Sequence, residues 1–299
     1  MEPSIFPQRP RLLVIGDIHG DLERLTHLLI STRIMNDKFQ WTAEPKDTWV
    51  VQMGDQIDSR MRNNAATSNE DGPDPSPWET TADVQVVFFM RNLDREARRS
   101  GGRVISLLGN HEILNALGDM SYVSAKSLNM LGGPKNRAKT FAPGGYMARI
   151  LADRPVILQI GTYVFCHAGL LPHHGTDFAH MNHLCRKFLL GFPLSAAEQM
   201  IFHALFIDGE GLLWTRAALT QEYQTKLAST LSSINATDLI VGHNPMPDGI
   251  TTTPEKNLWF VDTAISRAFD DIGKIMCLEL IPGRAPASIR VLMPDEKRT

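Results

Sequence analysis

The hydrophobic pattern of the chain is a succession of short apolar runs, and most of them stop at a turn that carries a metal-ligand residue type. Leu12-Leu13-Val14-Ile15 drives into Gly16-Asp17-Ile18-His19-Gly20. Residues 48–53 lead to Gly54-Asp55-Gln56-Ile57-Asp58, and residues 104–108 lead to Gly109-Asn110-His111-Glu112. In the second half, residues 163–166 precede His167-Ala168-Gly169, residues 239–241 precede Gly242-His243, and residues 258–261 precede Asp262. A short continuous apolar run bounded by turn residues predicts a strand buried on both faces.

Between these runs the period changes to that of a helix. Helices are predicted over 22–30, over 84–99 (Val84, Val87, Phe88 and Arg91 on one face, a stop at Gly101-Gly102) and over 220–234. Residues 176–206 read as mostly helical, with Met181, Leu184, Phe188 and Leu189 as the apolar stripe, and 113–150 as helical pieces broken at Gly132-Gly133-Pro134 and Pro143-Gly144-Gly145. Residues 156–160 pair with 163–166 around Gly161-Thr162, and 275–281 with 289–292 around Pro282-Gly283. The polar, proline-containing stretch 61–80 reads as a flexible insertion beside the site. No linker separates the halves and both supply ligand types, so residues 1–299 read as one domain.

Composition narrows the classes. A net charge of −3 and the lack of a dense Lys/Arg block argue against nucleic-acid coating, and Arg91, Arg95, Arg98 and Arg99 read as a solvated helix face. Three scattered cysteines without a Cys-x-x-Cys pair fit a reducing, cytoplasmic setting and neither a disulfide framework nor a thiolate zinc site. Residues 1–11 lack the apolar core of a signal peptide, and no run is long enough to span a membrane. His27, His180, His183 and His203 lie on helical stretches and read as surface or satisfied histidines, and His173-His174 as a solvated turn. Asp262 is read evenly as site support or as a cap, and Cys166 as core, facing away from the neighbouring ligand.

The informative set is Asp17/His19, Asp55/Asp58, Asn110/His111, His167 and His243, each one to four residues past a strand and most of them after a glycine. Hard oxygen donors with neutral imidazoles suit Mn, Fe or Zn better than calcium or a thiolate-seeking metal. The set is large enough for two ions, and paired ions serve phosphoryl transfer by lowering the pKa of a shared water and clamping the attacking oxygen and the phosphate.

These motifs resemble those of the calcineurin-like metallophosphoesterases, and more narrowly the phosphoprotein phosphatases. Residues 109–123, 141–156 and Leu213-Trp214-x-Arg216 resemble the bacterial-type branch called Shewanella-like phosphatases. The resemblance implies an α/β fold of two mixed β-sheets packed face to face as a sandwich flanked by α-helices. It implies that Asp17 and His19 hold a first metal, that Asp55 bridges, and that Asn110, His167 and His243 hold a second. It gives His111 the role of protonating the leaving oxygen, Asp58 that of orienting His111, and Arg216 that of clamping the phosphate. Two departures stand out: Ser59 occupies the place where the family has an arginine, with Arg60 one position later, and His167-Ala168-Gly169 replaces His-Gly-Gly. Arg60 then either reaches the phosphate along another backbone path or that contact is missing. The implied activity is hydrolysis of phosphomonoesters on phosphoproteins (Ser/Thr or Tyr) by a hydroxide held between two metals, without a nucleic-acid or membrane partner. The alternatives are hydrolysis of dinucleoside polyphosphates and a non-catalytic metal-binding scaffold; intact His111 and Asp58 speak against the scaffold.

Overall fold

A computed structural model describes residues 3–61 and 78–291. Its strands are β1 (Ile5–Phe6), β2 (Leu12–Ile15), β3 (Trp49–Gln52), β4 (Arg103–Ser106), β5 (Ile157–Ile160), β6 (Tyr163–Cys166), β7 (Asp238–Val241), β8 (Thr251–Thr252), β9 (Leu258–Phe260), β10 (Ile275–Leu280) and β11 (Ala287–Val291). They form a five-stranded sheet of order β11-β10-β2-β3-β4 and a six-stranded sheet of order β1-β5-β6-β7-β9-β8. Both are mixed. β2, β3 and β4 run parallel, with β10 antiparallel to β2; β6, β7 and β9 run parallel, with β5 antiparallel to β6.

Alternation along each strand divides the apolar runs between two layers. Leu12, Val14, Val51, Ile105 and Leu278 of one sheet meet Leu158, Phe165, Ile240 and Trp259 of the other, so the sheets are packed face to face. The intervening residues face outward. Leu13, Ile15, Val50 and Val104 pack beneath α1 (Leu22–Ser31) and α2 (Gln85–Arg99). Val164, Cys166, Leu239 and Val241 pack beneath α7 (Phe178–Leu189), α8 (Ala196–Phe206) and α9 (Gln221–Ser233). The expected α/β sandwich is therefore the observed one, and Cys166 is core.

The predicted breaks at Gly132-Gly133-Pro134 and Pro143-Gly144-Gly145 separate α4 (Ala125–Met130), α5 (Pro134–Phe141) and α6 (Tyr146–Leu151). Three differences have local causes. The stretch 176–206 is two helices, because Gly191-Phe192-Pro193 interrupts it. β1 and β8 were not expected; two residues each are too short to carry a period, and they exist by pairing to β5 and β9. The third is α3 (Asn110–Leu117), which begins at Asn110 itself, so Asn110 and His111 sit on its first turn rather than on a strand end. Most of the stretch 61–80 lies outside the described residues. Among the described residues no helix is long and apolar enough to cross a membrane.

Candidate metal centre

Because β2, β3 and β4 are parallel, their following turns open at one edge of the sheet, and β6 and β7 bring theirs to the same place. The turns are tied to one another by backbone. Ile18 and His19 donate their N–H groups to the Asp55 carbonyl at 3.0 Å, and Gly242 donates to the His167 carbonyl at 2.8 Å. The Glu112 carboxylate, in the first turn of α3, accepts from the N–H of Gly109, Asp55 and Gln56 at 2.8–2.9 Å. Glu112 thus fastens the β3 turn to the β4 turn, a role that the sequence pattern did not disclose.

Two groups of buried donors share Asp55: His19, Asp55 and His111, and Asp55, His167 and His243, with ligand atoms within 4.8 Å of one another in each. Asp55 Oδ2 lies 3.2 Å from His167 Nε2 and 3.8 Å from the Nε2 atoms of both His19 and His111. Asn110 Oδ1 is 2.9 Å from His167 Nε2. Asp17 accepts from the His243 backbone N–H at 3.1 Å, which ties the turn after β2 to the turn after β7. The structure therefore brings all six expected ligands together, and adds His111 to the geometric neighbourhood of the first group.

Close backbone approach makes this possible. A Cβ on Gly109 would lie 2.1 Å from Asp55 Oδ1, and one on Gly242 would lie 2.3 Å from Asp17 Oδ1. Only glycine leaves room for a carboxylate at either place. His19, Asp55, Asp58 and His243 all adopt left-handed backbone, with φ between 40° and 70°. Such conformations are uncommon for residues with side chains and cluster where a surrounding structure over-determines them for function.

The charge balance of the pocket favours a cation. Burial and the nearby Asp262 and Asp55 raise the Asp17 pKa well above the usual carboxylate range. Burial acts the same way on Asp55, but His167, His111 and His19 overcome it and hold that carboxyl well below its ordinary value. Burial likewise lifts Asp262 to about 6, and its Oδ2 is buried without a hydrogen-bond partner while Oδ1 caps the N–H of Ala264 at 2.9 Å. Asp262 is thus both cap and site carboxylate. Burial drives His243 down to about 3, which keeps it a neutral ligand; its Nε2 points to the Trp214 carbonyl at 3.0 Å, leaving Nδ1 for a metal. Crowded carboxylates, a neutral His243 and an orphaned buried oxygen fit a divalent or trivalent cation set.

His111 is set apart by its partner. Its Nδ1 lies 2.7 Å from Asp58 Oδ2, and its ring packs edge-on against His19 and Tyr122. Asp58 is itself held: its Oδ1 accepts from Asn115 at 2.8 Å and from Arg137 at 3.3 Å, and its N–H donates to Asp83 at 2.8 Å. Arg137 is fully buried and makes a two-pronged pair with Asp83 at 2.7 and 2.9 Å. Asn115 is signalled by its position four residues after His111 on α3; Arg137 and Asp83 carry no signal in a single sequence.

The two arginines differ. Arg216 sits on the rim, with Nη1 donating to Asn244 Oδ1 at 2.9 Å and reaching the His243 carbonyl at 3.4 Å. Arg60 is turned toward the segment after α3, with its N–H on the Tyr122 carbonyl and Nη1 on the Ser121 carbonyl at 3.1 Å. Ser59 points inward, where its hydroxyl donates to Glu79 at 2.6 Å in a buried cluster with Ser124 and Ser127. His174 is buried, not solvated as expected: it bonds the Glu210 carbonyl at 2.8 Å and burial lowers its pKa to about 4.

The family model for calcineurin-like phosphoesterases matches residues 10–265. The chain is similar to Shewanella-like protein phosphatase 2 of Arabidopsis thaliana, with 26% identity covering 89% of this chain and 74% of that protein. An uncharacterized protein of Schizosaccharomyces pombe is 28% identical over 85% of this chain and 73% of its own length. Among solved structures, a cold-active protein-tyrosine phosphatase of a psychrophilic Shewanella superimposes with a TM-score of 0.76 at 21% identity, covering 96% of this chain and 82% of that one. That likeness is one of fold.

Proposed function

The chain belongs to the calcineurin-like phosphoesterases, and from that premise we propose that it is a phosphatase acting on phosphomonoesters of phosphoproteins. One observation carries the reading: His111 is held at Nδ1 by Asp58, with its Nε2 beside the one carboxylate that both donor groups share. Asp17, His19 and Asp55 would hold one cation, and Asp55, Asn110, His167 and His243 another, of Mn, Fe or Zn. When bound, the cations lower the pKa of a water and offset phosphate charge.

The remaining work falls to the chain's own groups. The Asp58 carboxylate bonds His111 at Nδ1 and fixes its ring, so that Nε2, carrying the proton to be donated, faces the site. As the phosphorus–oxygen bond to the seryl, threonyl or tyrosyl oxygen breaks, that proton passes to the departing oxygen and water supplies the new oxygen on phosphorus. Arg137 and Asn115 hold the far oxygen of Asp58 and keep it from turning away. Arg216 offers a planar fork to two non-bridging phosphate oxygens. Similarity to proteins named as protein phosphatases supports a phosphoprotein substrate.

The test is a panel of phosphoserine, phosphothreonine and phosphotyrosine peptides, together with diadenosine tetraphosphate, run with Mn, Fe and Zn in turn. Phosphopeptide hydrolysis is expected. Cleavage of the dinucleotide with no phosphopeptide activity would replace the reading, and metal uptake without hydrolysis of any substrate would make the chain a scaffold.

A further inference from the structure

The structure carries a second polar cavity, away from the metal ligands, and its chemistry is the reverse of theirs. A cavity of about 650 Å³ opens along the outer edge of β4. That strand ends the five-stranded sheet, and β1 and β5 lie at the corresponding margin of the other sheet. The volume is that of a small-molecule site. Six arginines line it: Arg91, Arg95 and Arg98 of α2, Arg103 at the start of β4, Arg154, and Arg186 of α7. Only two carboxylates, Asp94 and Asp153, line it with them. An excess of four positive charges in one cavity is unusual in a chain whose net charge is −3.

The carboxylates are already engaged. Asp94 pairs with Arg98 at 2.7 Å and Arg103 at 3.2 Å, and Asp153 pairs with Arg186 at 2.7 Å. Among the described residues Arg91 and Arg95 make no ion pair, and Arg154 meets only the Glu112 carboxylate, beyond ion-pair distance. Arg95 holds only the side-chain oxygen of Asn92, at 3.3 Å. The Arg154 Nη1 atom is buried with no hydrogen-bond partner among the described residues. A buried, unpaired guanidinium nitrogen costs free energy that an anion would recover. Burial pulls the Arg154 pKa down to about 10; the Glu112 carboxylate opposes this from a distance and Arg91 adds to it. The helix face is solvated, as the sequence suggested, and its Arg91, Arg95 and Arg98 also form one wall of the cavity.

We propose that this cavity is a binding site for a small polyanion bearing two or more phosphoryl groups. Guanidinium forks match phosphate oxygens two at a time, and four excess charges distributed over one cavity call for more than one anionic group. The volume favours a small molecule over a nucleic-acid strand or an acidic protein surface, and Phe6, Ile105 and Leu158 give it an apolar wall for the body of the ligand. The site is independent of the phosphatase reading, since none of its arginines is a proposed metal ligand or phosphate clamp.

The experiment uses the metal-loaded full chain and a tetra-anionic fluorescent probe, pyrenetetrasulfonate, which no phosphatase hydrolyses. Binding is read by fluorescence anisotropy at fixed ionic strength, with displacement by tripolyphosphate and by orthophosphate. The wild-type chain is expected to bind the probe and release it to tripolyphosphate well before orthophosphate. The exposed double variant Arg91→Glu/Arg95→Glu, and separately Arg154→Gln, should each weaken binding by roughly 10-fold or more, the scale of a lost charge-assisted pair. Hydrolysis of para-nitrophenyl phosphate by the double variant should match wild type, which certifies its fold. Equal probe affinity in wild type and the double variant overturns the proposal. So does equal displacement by orthophosphate and tripolyphosphate, which would mean an adventitious ion only.

Discussion

The two sheets contribute to the metal centre in different ways. The five-stranded sheet supplies Asp17, His19, Asp55, Asp58, Asn110 and His111 from the turns after β2, β3 and β4, and those turns are laced together by Glu112 and by backbone bonds to the Asp55 carbonyl. The six-stranded sheet supplies His167 and His243, imidazoles fixed through the carbonyls of Met53 and Trp214. Its one carboxylate at the site, Asp262, is pushed by burial toward the neutral form. One sheet thus brings most of the carboxylates and the candidate proton donor, and the other brings two imidazoles of opposite character, His243 pushed by burial to the neutral form and His167 drawn by Asp55 toward the protonated one. A metal held across the interface would join the two, so damage on either side should be distinguishable.

The largest expected effect is at the shared carboxylate. Asp55→Asn should remove both metals and lower turnover beyond the roughly 10⁴-fold limit of losing a general acid, whereas His243→Asn should retain one. Metal analysis alongside para-nitrophenyl phosphate hydrolysis checks this; two metals retained in Asp55→Asn would break the asymmetry between the sheets. Next comes His111→Asn, which should lower turnover by roughly 10²–10⁴ with near-normal metal content. A substrate with an excellent leaving group should be affected less, and loss of metal would reassign His111 as a ligand, as its place beside His19 and Asp55 permits.

The arginines come third. Arg216→Lys should cost roughly 10–100-fold in kcat/KM, the scale of a charge-assisted fork, and Arg60→Lys much less, since Arg60 is turned toward Ser121. Equal losses would mean that the displaced arginine swings to the phosphate. The smallest effect is one of pH. In the folded chain Asp262 titrates near 6, above its ordinary 3.8. Its protonated form is therefore favoured by folding. The cost of burying its charge is absent below pH 4 and grows as pH rises through 6. In metal-stripped protein Asp262→Asn should raise Tm by a few degrees at pH 8 and leave it unchanged at pH 4; a gain at pH 4 instead would mean that packing, not charge, governs the site.

What could be read from the sequence was whatever is local. Strand, glycine and candidate ligand occur within a few residues, so the strands and the six candidate ligands were legible from apolar runs and motif spacing, while the sandwich and the residues' roles followed from the resemblance to the family. Buried partners that act across long separations were not legible. Arg137 and Asp83 stand 79 and 25 residues from Asp58. The left-handed backbone of Asp55 and His243 is likewise imposed by neighbouring chain rather than by the residues themselves. Ser59 illustrates the middle case: the missing arginine was visible, but the inward turn to Glu79 that accommodates it was not.

The place of β10 has a consequence for how the protein is made. β2, which leads into Asp17 and His19, lies inside its sheet only because β10, some 260 residues later, pairs along its other side. A growing chain emerging from a ribosome offers β2, β3 and β4 first, with an open margin on β2 and four of the six expected ligands in hand. His167 and His243 follow much later, and β10 after both. Strand margins left open invite pairing with other chains. An ion arriving early would meet the carboxylate-rich half of the candidate cage without the two imidazoles of the other sheet.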